Sequence, residues 1–170
     1  MSGIIMVPNG DLFSSPASQI LVHGVNARGI MGAGVAKQFK LRFPESYMAY
    51  QGQCLGFPTS AVPHCAPTLL TFRDVSASGM RTGEVLLTKE SGRILACLCS
   101  QYNTGHWAMV SAIAEGFVRL FSHFDDRSYA IPKIGCGIGG LSWSEGVRDA
   151  VHGIARAFNV SVYVYEGPGR

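Results

Sequence analysis

The chain is short of charge. Only 15% of its 170 residues are Asp, Glu, Lys or Arg, and the formal net charge is +3. Its Lys and Arg residues are scattered, with no dense basic stripe of the kind that follows a phosphodiester backbone. That mild positive balance suits an anionic small molecule better than a nucleic-acid filament. No apolar run approaches the roughly 20 residues of a membrane span, so no membrane partner is expected. No basic stretch followed by a long apolar one opens the chain, which predicts a cytoplasmic, or nucleocytoplasmic, rather than a secreted protein. The cysteines (Cys54, Cys65, Cys97, Cys99 and Cys136) are odd in number and contain no C-x-x-C pair. A disulfide scaffold is not expected in so apolar a domain, and a reducing compartment follows. Cys97 and Cys99 would share one face of a strand, where packing rather than metal ligation is the expected role. Nothing visible requires a metal or another cofactor.

What is abundant is hydrophobic residues, at 47%, and glycine, at 21 residues. This composition is globular, and the length suits a single domain over 1–170. Apolar runs at Ile4–Val7 and Gln19–His23 predict strands. Ala33–Phe43, with Val35, Ala36 and Phe39 at helical spacing, predicts a helix, and Pro44 begins a second one. Residues 55–82 are rich in Pro, Ser, Thr and Gly and read as an irregular insertion with one weak strand. Glu84–Thr88 and Arg93–Ser100, joined by Glu90-Ser91-Gly92, predict a hairpin. A helix is predicted over His106–Phe124, a strand over Ser128–Ile134, and a strand over Val160–Tyr165. Between the last two, Ser142-Trp143-Ser144-Glu145 has the form of a capping box opening a helix that runs through Ala157. Strands and helices alternate, so the expected class is α/β: a three-layer α/β/α domain with a mixed, largely parallel central sheet. No internal repeat or linker divides it, and a monomer is expected.

The glycines concentrate where strands hand over to helices. One cluster is Gly29-Ile30-Met31-Gly32-Ala33-Gly34, and the other is Gly135-Cys136-Gly137-Ile138-Gly139-Gly140. In an open α/β sheet such loops gather at the carboxyl edge, where ligands bind. Helix N-termini offer free N–H groups and the positive end of a dipole, which suit phosphate. Two such loops could clasp a diphosphate. No G-x-x-x-x-G-K-[ST] is present. The G-x-G-x-x-G form at Gly135, Gly137 and Gly140 comes late and lacks the acidic residue that a dinucleotide fold places downstream. For glycine loops alone, tight turns remain the alternative.

Four segments together resemble the macrodomain family of ADP-ribose-binding modules: NGDLF (from Asn9), HGVNARGIMGAGVAKQF (from His23), IPKIGCGIGGLSW (from Ile131) and VSVYVYE (from Val160). The M-G-A-G-V-A and I-G-C-G forms are similar to the branch of terminal ADP-ribose glycohydrolases, antitoxins that reverse DNA ADP-ribosylation, and the yeast-type ADP-ribose-1″-phosphate phosphatases. The resemblance implies ADP-ribose or its 1″-phosphate as ligand, with nucleic acid entering only as an ADP-ribosylated substrate. It implies that Asp11 accepts from the adenine amine and that the Leu12 amide adds a contact. Met31, Gly32, Ala33, Gly34 and Val35 would line the first loop, and Gly135, Cys136, Gly137, Ile138, Gly139, Gly140 and Leu141 the second. Asn26 would bind the distal ribose, and Tyr165 would pack near adenine. Each has a plain alternative: Asp11 and Asn26 as turn residues, Cys136 and Tyr165 as packing.

The glycohydrolase branch uses a lysine and an aspartate whose positions correspond here to Gln101 and Gly139. Neither can supply a Schiff base or an acid. That moves attention to His23, matched in the phosphatase branch. With Asn26 it is the candidate for assisting hydrolysis of ADP-ribose 1″-phosphate; the alternative is a buried, hydrogen-bonded histidine. Removal of ADP-ribose from protein or nucleic acid, and non-catalytic reading of ADP-ribose, are the competing functions.

Overall fold

A computed structural model of the chain describes residues 1–58, 63–73 and 79–167. Seven strands form one sheet: β1 (Gly3–Val7), β2 (Ile20–Asn26), β3 (Thr68–Leu70), β4 (Val85–Glu90), β5 (Arg93–Gln101), β6 (Tyr129–Ile131) and β7 (Ser161–Tyr165). Their order is β1-β7-β6-β2-β5-β4-β3. Neighbours from β1 through β5 are parallel, while β4 pairs antiparallel with both β5 and β3. The sheet is therefore mixed and largely parallel, as the alternation of elements predicts.

Helices α1 (Gly34–Arg42) and α2 (Pro44–Leu55) cover one face, and α3 (Val110–His123) and α4 (Arg148–Ala157) the other. The strand period of two divides β2 between them. Leu21 and Val25 join Phe39, Ala49 and Tyr50 in one core, and Ile20 and Val22 join Phe117, Phe121 and Val151 in the other. Pro44 at the first turn of α2 needs no hydrogen-bond acceptor there, and it stops α1 at the same point. Cys97 and Cys99 lie buried in β5, and all five cysteines are free.

Three expectations need correction. The strand predicted over Ser128–Ile134 spans only Tyr129–Ile131, because Pro132 cannot extend a ladder. The predicted capping box does not form. The Ser142 hydroxyl pairs with Ser144 instead, at 3.2 Å. Gly146, at φ 111°, kinks the Trp143–Val147 turn, and α4 starts only at Arg148. Glu145 is therefore no capping residue. The helix predicted from His106 begins at Val110, since the preceding residues are tied to the site described below. Within 55–82, α2 continues through Leu55 and the expected weak strand is β3 on the sheet edge; the rest of that segment lies partly outside the described residues.

Candidate functional site

All strands from β1 to β5 in the sheet order point the same way, so their carboxyl ends share one edge. A cleft of about 350 Å³ opens there. The loop after β2 and the N-terminus of α1 form one wall, with Gly32, Ala33, Gly34 and Val35. The loop after β6 forms the other, with Gly135, Gly137, Ile138 and Gly139. Asn26, Gln101, Thr104 and Lys133 also line it, as does His23 at its base. The two glycine clusters thus face each other, as the sequence suggests. Ala33, the N-cap of α1, makes no side-chain cap, so the first-turn amides of α1 have no side-chain acceptor. Gly34 has φ +59°, and nothing lies within 4 Å of the place its side chain would take. The left-handed conformation and the open space together leave a bare helix N-terminus at the cleft, a position that favours an anion.

Not every candidate residue lines this cleft. Met31 is buried behind the first loop. Cys136 is half-buried, with its thiol donating to the Ile134 carbonyl at 3.3 Å and pushed up in pKa by burial. Gly140 and Leu141 belong to the second loop but lie outside the lining. Asp11, Leu12 and Tyr165 sit further along the same edge, beyond β6, where β1 and β7 end. The Asp11 carboxylate accepts from the Phe13 amide at 3.1 Å and the Ser14 hydroxyl at 2.8 Å, capping the short turn Leu12–Ser14. Tyr165 donates its hydroxyl to Gln19 at 3.1 Å and lies against Gly10.

The two candidate catalytic residues are engaged in building the scaffold. Asn26 Oδ1 accepts from the Arg28 amide at 2.9 Å, the Ile30 amide at 3.4 Å and the Tyr50 hydroxyl at 3.0 Å. Its Nδ2 donates to the Ile30 carbonyl at 2.8 Å. One amide hydrogen is left for a ligand. The turn-building alternative therefore accounts for most of this side chain. His23 is 1% exposed. Its ring stacks on Phe39 with centroids 3.7 Å apart, and its Nε2 lies 3.3 Å from the Cys97 sulfur. Burial pulls its pKa down to about 3. Burial thus disfavours the imidazolium, the form that would act as a general acid at pH 7.

Gln101 and Gly139 form a contact of their own. Gln101 Nε2 donates to the Asn103 and Gly105 carbonyls at 2.7 and 3.1 Å, pinning the loop after β5. A Cβ on Gly139 would stand 2.7 Å from both Ala108 Cβ and the Gly135 carbonyl, and 3.1 Å from Gln101 Oε1. Position 139 thus has no room for a larger side chain unless the loop shifts. Sequence reasoning missed Lys133, which lines the cleft and pairs with Glu166 at 2.6 Å. Its place at the end of β6, directly before the second glycine cluster, was the available signal. It also missed Tyr50, buried in α2, for which the sequence carries no signal. Among the described residues no cluster of His, Cys, Asp and Glu could hold a metal ion, and no helix is long and apolar enough to cross a membrane.

The same architecture occurs in a solved structure, the macrodomain of DarG from Thermus aquaticus. It superposes with a TM-score of 0.71 and 27% identity, over 96% of this chain and 99% of that one. The fold is that of a macrodomain. The macrodomain likeness extends to curated sequences. A Thermus aquaticus DNA ADP-ribosyl glycohydrolase is 27% identical over 164 residues, covering 92% of this chain but 39% of that protein. The chain thus spans about two fifths of that relative's length. An ADP-ribose 1″-phosphate phosphatase from Meyerozyma guilliermondii is 55% identical over 47 residues, which is 26% of this macrodomain chain and 27% of the relative. No family model matches the chain.

Proposed function

We propose that this macrodomain binds ADP-ribose in the cleft and hydrolyses a bond at C1″ of its distal ribose. The observation that carries the reading is the bare N-terminus of α1 facing the second glycine loop across a cleft of about 350 Å³. The diphosphate lies between the two loops. Adenine extends toward Asp11 and Tyr165, and the distal ribose toward Asn26 and Gln101. Hydrolysis adds water oxygen to C1″. The bond from C1″ to the attached group breaks with its electron pair on that group, and the water proton passes to the group or to solvent.

The lining narrows the chemistry. Its ionisable side chains are His23, held neutral by burial, and Lys133, paired with Glu166. Among the described residues no carboxylic acid lines the cleft, which favours attached groups that leave as weakly basic anions: a phosphate, a carboxylate or a base imide. Likeness along 92% of the chain to a DNA ADP-ribosyl glycohydrolase favours a macromolecular substrate. The short, stronger likeness to a phosphatase favours ADP-ribose 1″-phosphate as a second reading.

Parallel incubation of the purified protein with an ADP-ribosylated oligonucleotide, an ADP-ribosylated glutamyl peptide and ADP-ribose 1″-phosphate tests the proposal. Release of ADP-ribose from at least one supports it and names the substrate. Binding of ADP-ribose without release from any would reduce the protein to a reader.

A further inference from the structure

If the diphosphate lies between the glycine loops, the sheet order fixes where the group attached to the distal ribose must go. Adenine occupies the β1/β7 end, so the other end of the ligand leaves the cleft over β2 and β5. The residues standing there belong to the loops 27–30 and 102–108. They form a built surface. The Ala27 amide donates to the Tyr102 carbonyl at 3.0 Å, joining the two loops. Gln101 pins Asn103 and Gly105 from beneath. The Ala108 amide donates to the Gly139 carbonyl at 3.2 Å, and the His106 ring rests against Gly140.

Two large aromatic side chains of this surface stand in solvent. Tyr102 is 57% exposed and Trp107 is 64% exposed. The Arg28 guanidinium sits 5.7 Å from the centre of the Tyr102 ring, and Arg28 makes no ion pair among the described residues. A flat aromatic face backed by an unpaired cation, beside a ligand cleft, matches the stacking platform that single-stranded nucleic acid uses. The ring takes a base and the cation a neighbouring phosphate. A peptide carrying ADP-ribose on a glutamate need not present a flat group at that ring, whereas every nucleotide beside the modified position does.

We propose that Tyr102 and Arg28 are specificity-determining residues that hold a nucleobase of a single-stranded substrate next to the ADP-ribosylated position. This rests on the reading of the cleft as an ADP-ribose site. Tyr102 carries the stack, Arg28 meets the backbone phosphate, and Gln101 is a positioning residue that keeps the loop from folding down over the cleft.

Steady-state release of ADP-ribose from an ADP-ribosylated single-stranded oligonucleotide is compared for the unmodified protein, Tyr102→Ala, Tyr102→Phe and Arg28→Ala. Calorimetry with free ADP-ribose runs beside it. Tyr102→Ala raises KM for the oligonucleotide about tenfold, as loss of one base stack does, and Tyr102→Phe restores it. Arg28→Ala raises KM at low salt and loses its effect as salt rises. Affinity for free ADP-ribose is unchanged in all three, which also shows that they fold. An unaltered KM for Tyr102→Ala overturns the proposal, as does an equal rise for an ADP-ribosylated glutamyl peptide. Failure of the unmodified protein to bind free ADP-ribose overturns the cleft reading and this inference with it, and the calorimetry separates that outcome from a failure of the rim alone.

Discussion

His23 lies flat against Phe39, with ring planes 13° apart and centroids 3.7 Å apart, and its outer nitrogen faces the Cys97 sulfur. Its other nitrogen, Nδ1, has no hydrogen-bond partner. This is the environment of a core residue. Its folded pKa of about 3 lies below the value of about 6.5 expected in the unfolded chain. The unfolded state therefore binds more protons between those values, and stability falls as pH drops through that window. The loss is about 1.4 kcal/mol per pH unit from this group. Denaturant unfolding of the unmodified protein and His23→Leu across that range checks it. The difference in stability between the two proteins changes with that slope, and parallel curves would contradict the assignment.

Tyr50 ties α2 to the first loop. Its hydroxyl donates to the Asn26 carbonyl at 2.7 Å and lies 3.0 Å from Asn26 Oδ1. Tyr50→Phe is expected to cost about 1–2 kcal/mol of stability. Asn26→Ala is expected to cost more, because it also leaves the Arg28 and Ile30 amides and the Ile30 carbonyl without their partner. Both weaken ADP-ribose binding by loosening residues 26–30. Chemical denaturation and calorimetry on each variant give the two rankings.

Placing an acid at position 139 should fail to create a catalytic group. In Gly139→Asp the new Cβ meets Ala108 and the Gly135 carbonyl at 2.7 Å. The loop must shift, at an expected cost of about 1–3 kcal/mol. The variant should lose ADP-ribose affinity and gain no hydrolytic rate. A rise in ADP-ribose release by Gly139→Asp would show that the loop can yield.

Lys133 pairs with the Glu166 carboxylate, and both are partly exposed. Lys133→Gln is therefore expected to change stability by under about 1 kcal/mol. If the lysine adds to the field on the diphosphate, its loss weakens ADP-ribose binding several-fold at low salt and less at high salt. Calorimetry at two ionic strengths distinguishes this from a purely structural pair, whose loss leaves affinity unchanged at both.

The parallel core was legible because each buried strand carries its own apolar run, and Pro44 and the glycine clusters mark where elements end. The cleft walls were legible for the same reason: glycine-rich handovers at strand ends gather on one edge. The polar interior was not. Asn26 reads as a ligand group or a turn residue in the sequence, and the structure shows its oxygen taken by the Arg28 and Ile30 amides and by Tyr50 from α2. His23 reads as a site residue because it precedes the loop. Its side chain, however, alternates with Gly24 to the α1 face, where Phe39 covers it. The capping-box form at Ser142 misled because Gly146 reaches a positive φ that ends the helical turn. Tyr102 and Trp107 carried no periodic signal, since they lie in the loop between β5 and α3.

The central claim is that the bare N-terminus of α1 receives the ligand's diphosphate. Titration calorimetry of ADP-ribose into the unmodified protein and Gly34→Glu tests it most directly. The open space at Gly34 accommodates the side chain at a backbone cost of about 1 kcal/mol, while the added carboxylate repels phosphate. One-to-one binding by the unmodified protein and no measurable binding by a folded Gly34→Glu are expected. Equal affinities in the two proteins, or no heat with either, would contradict it.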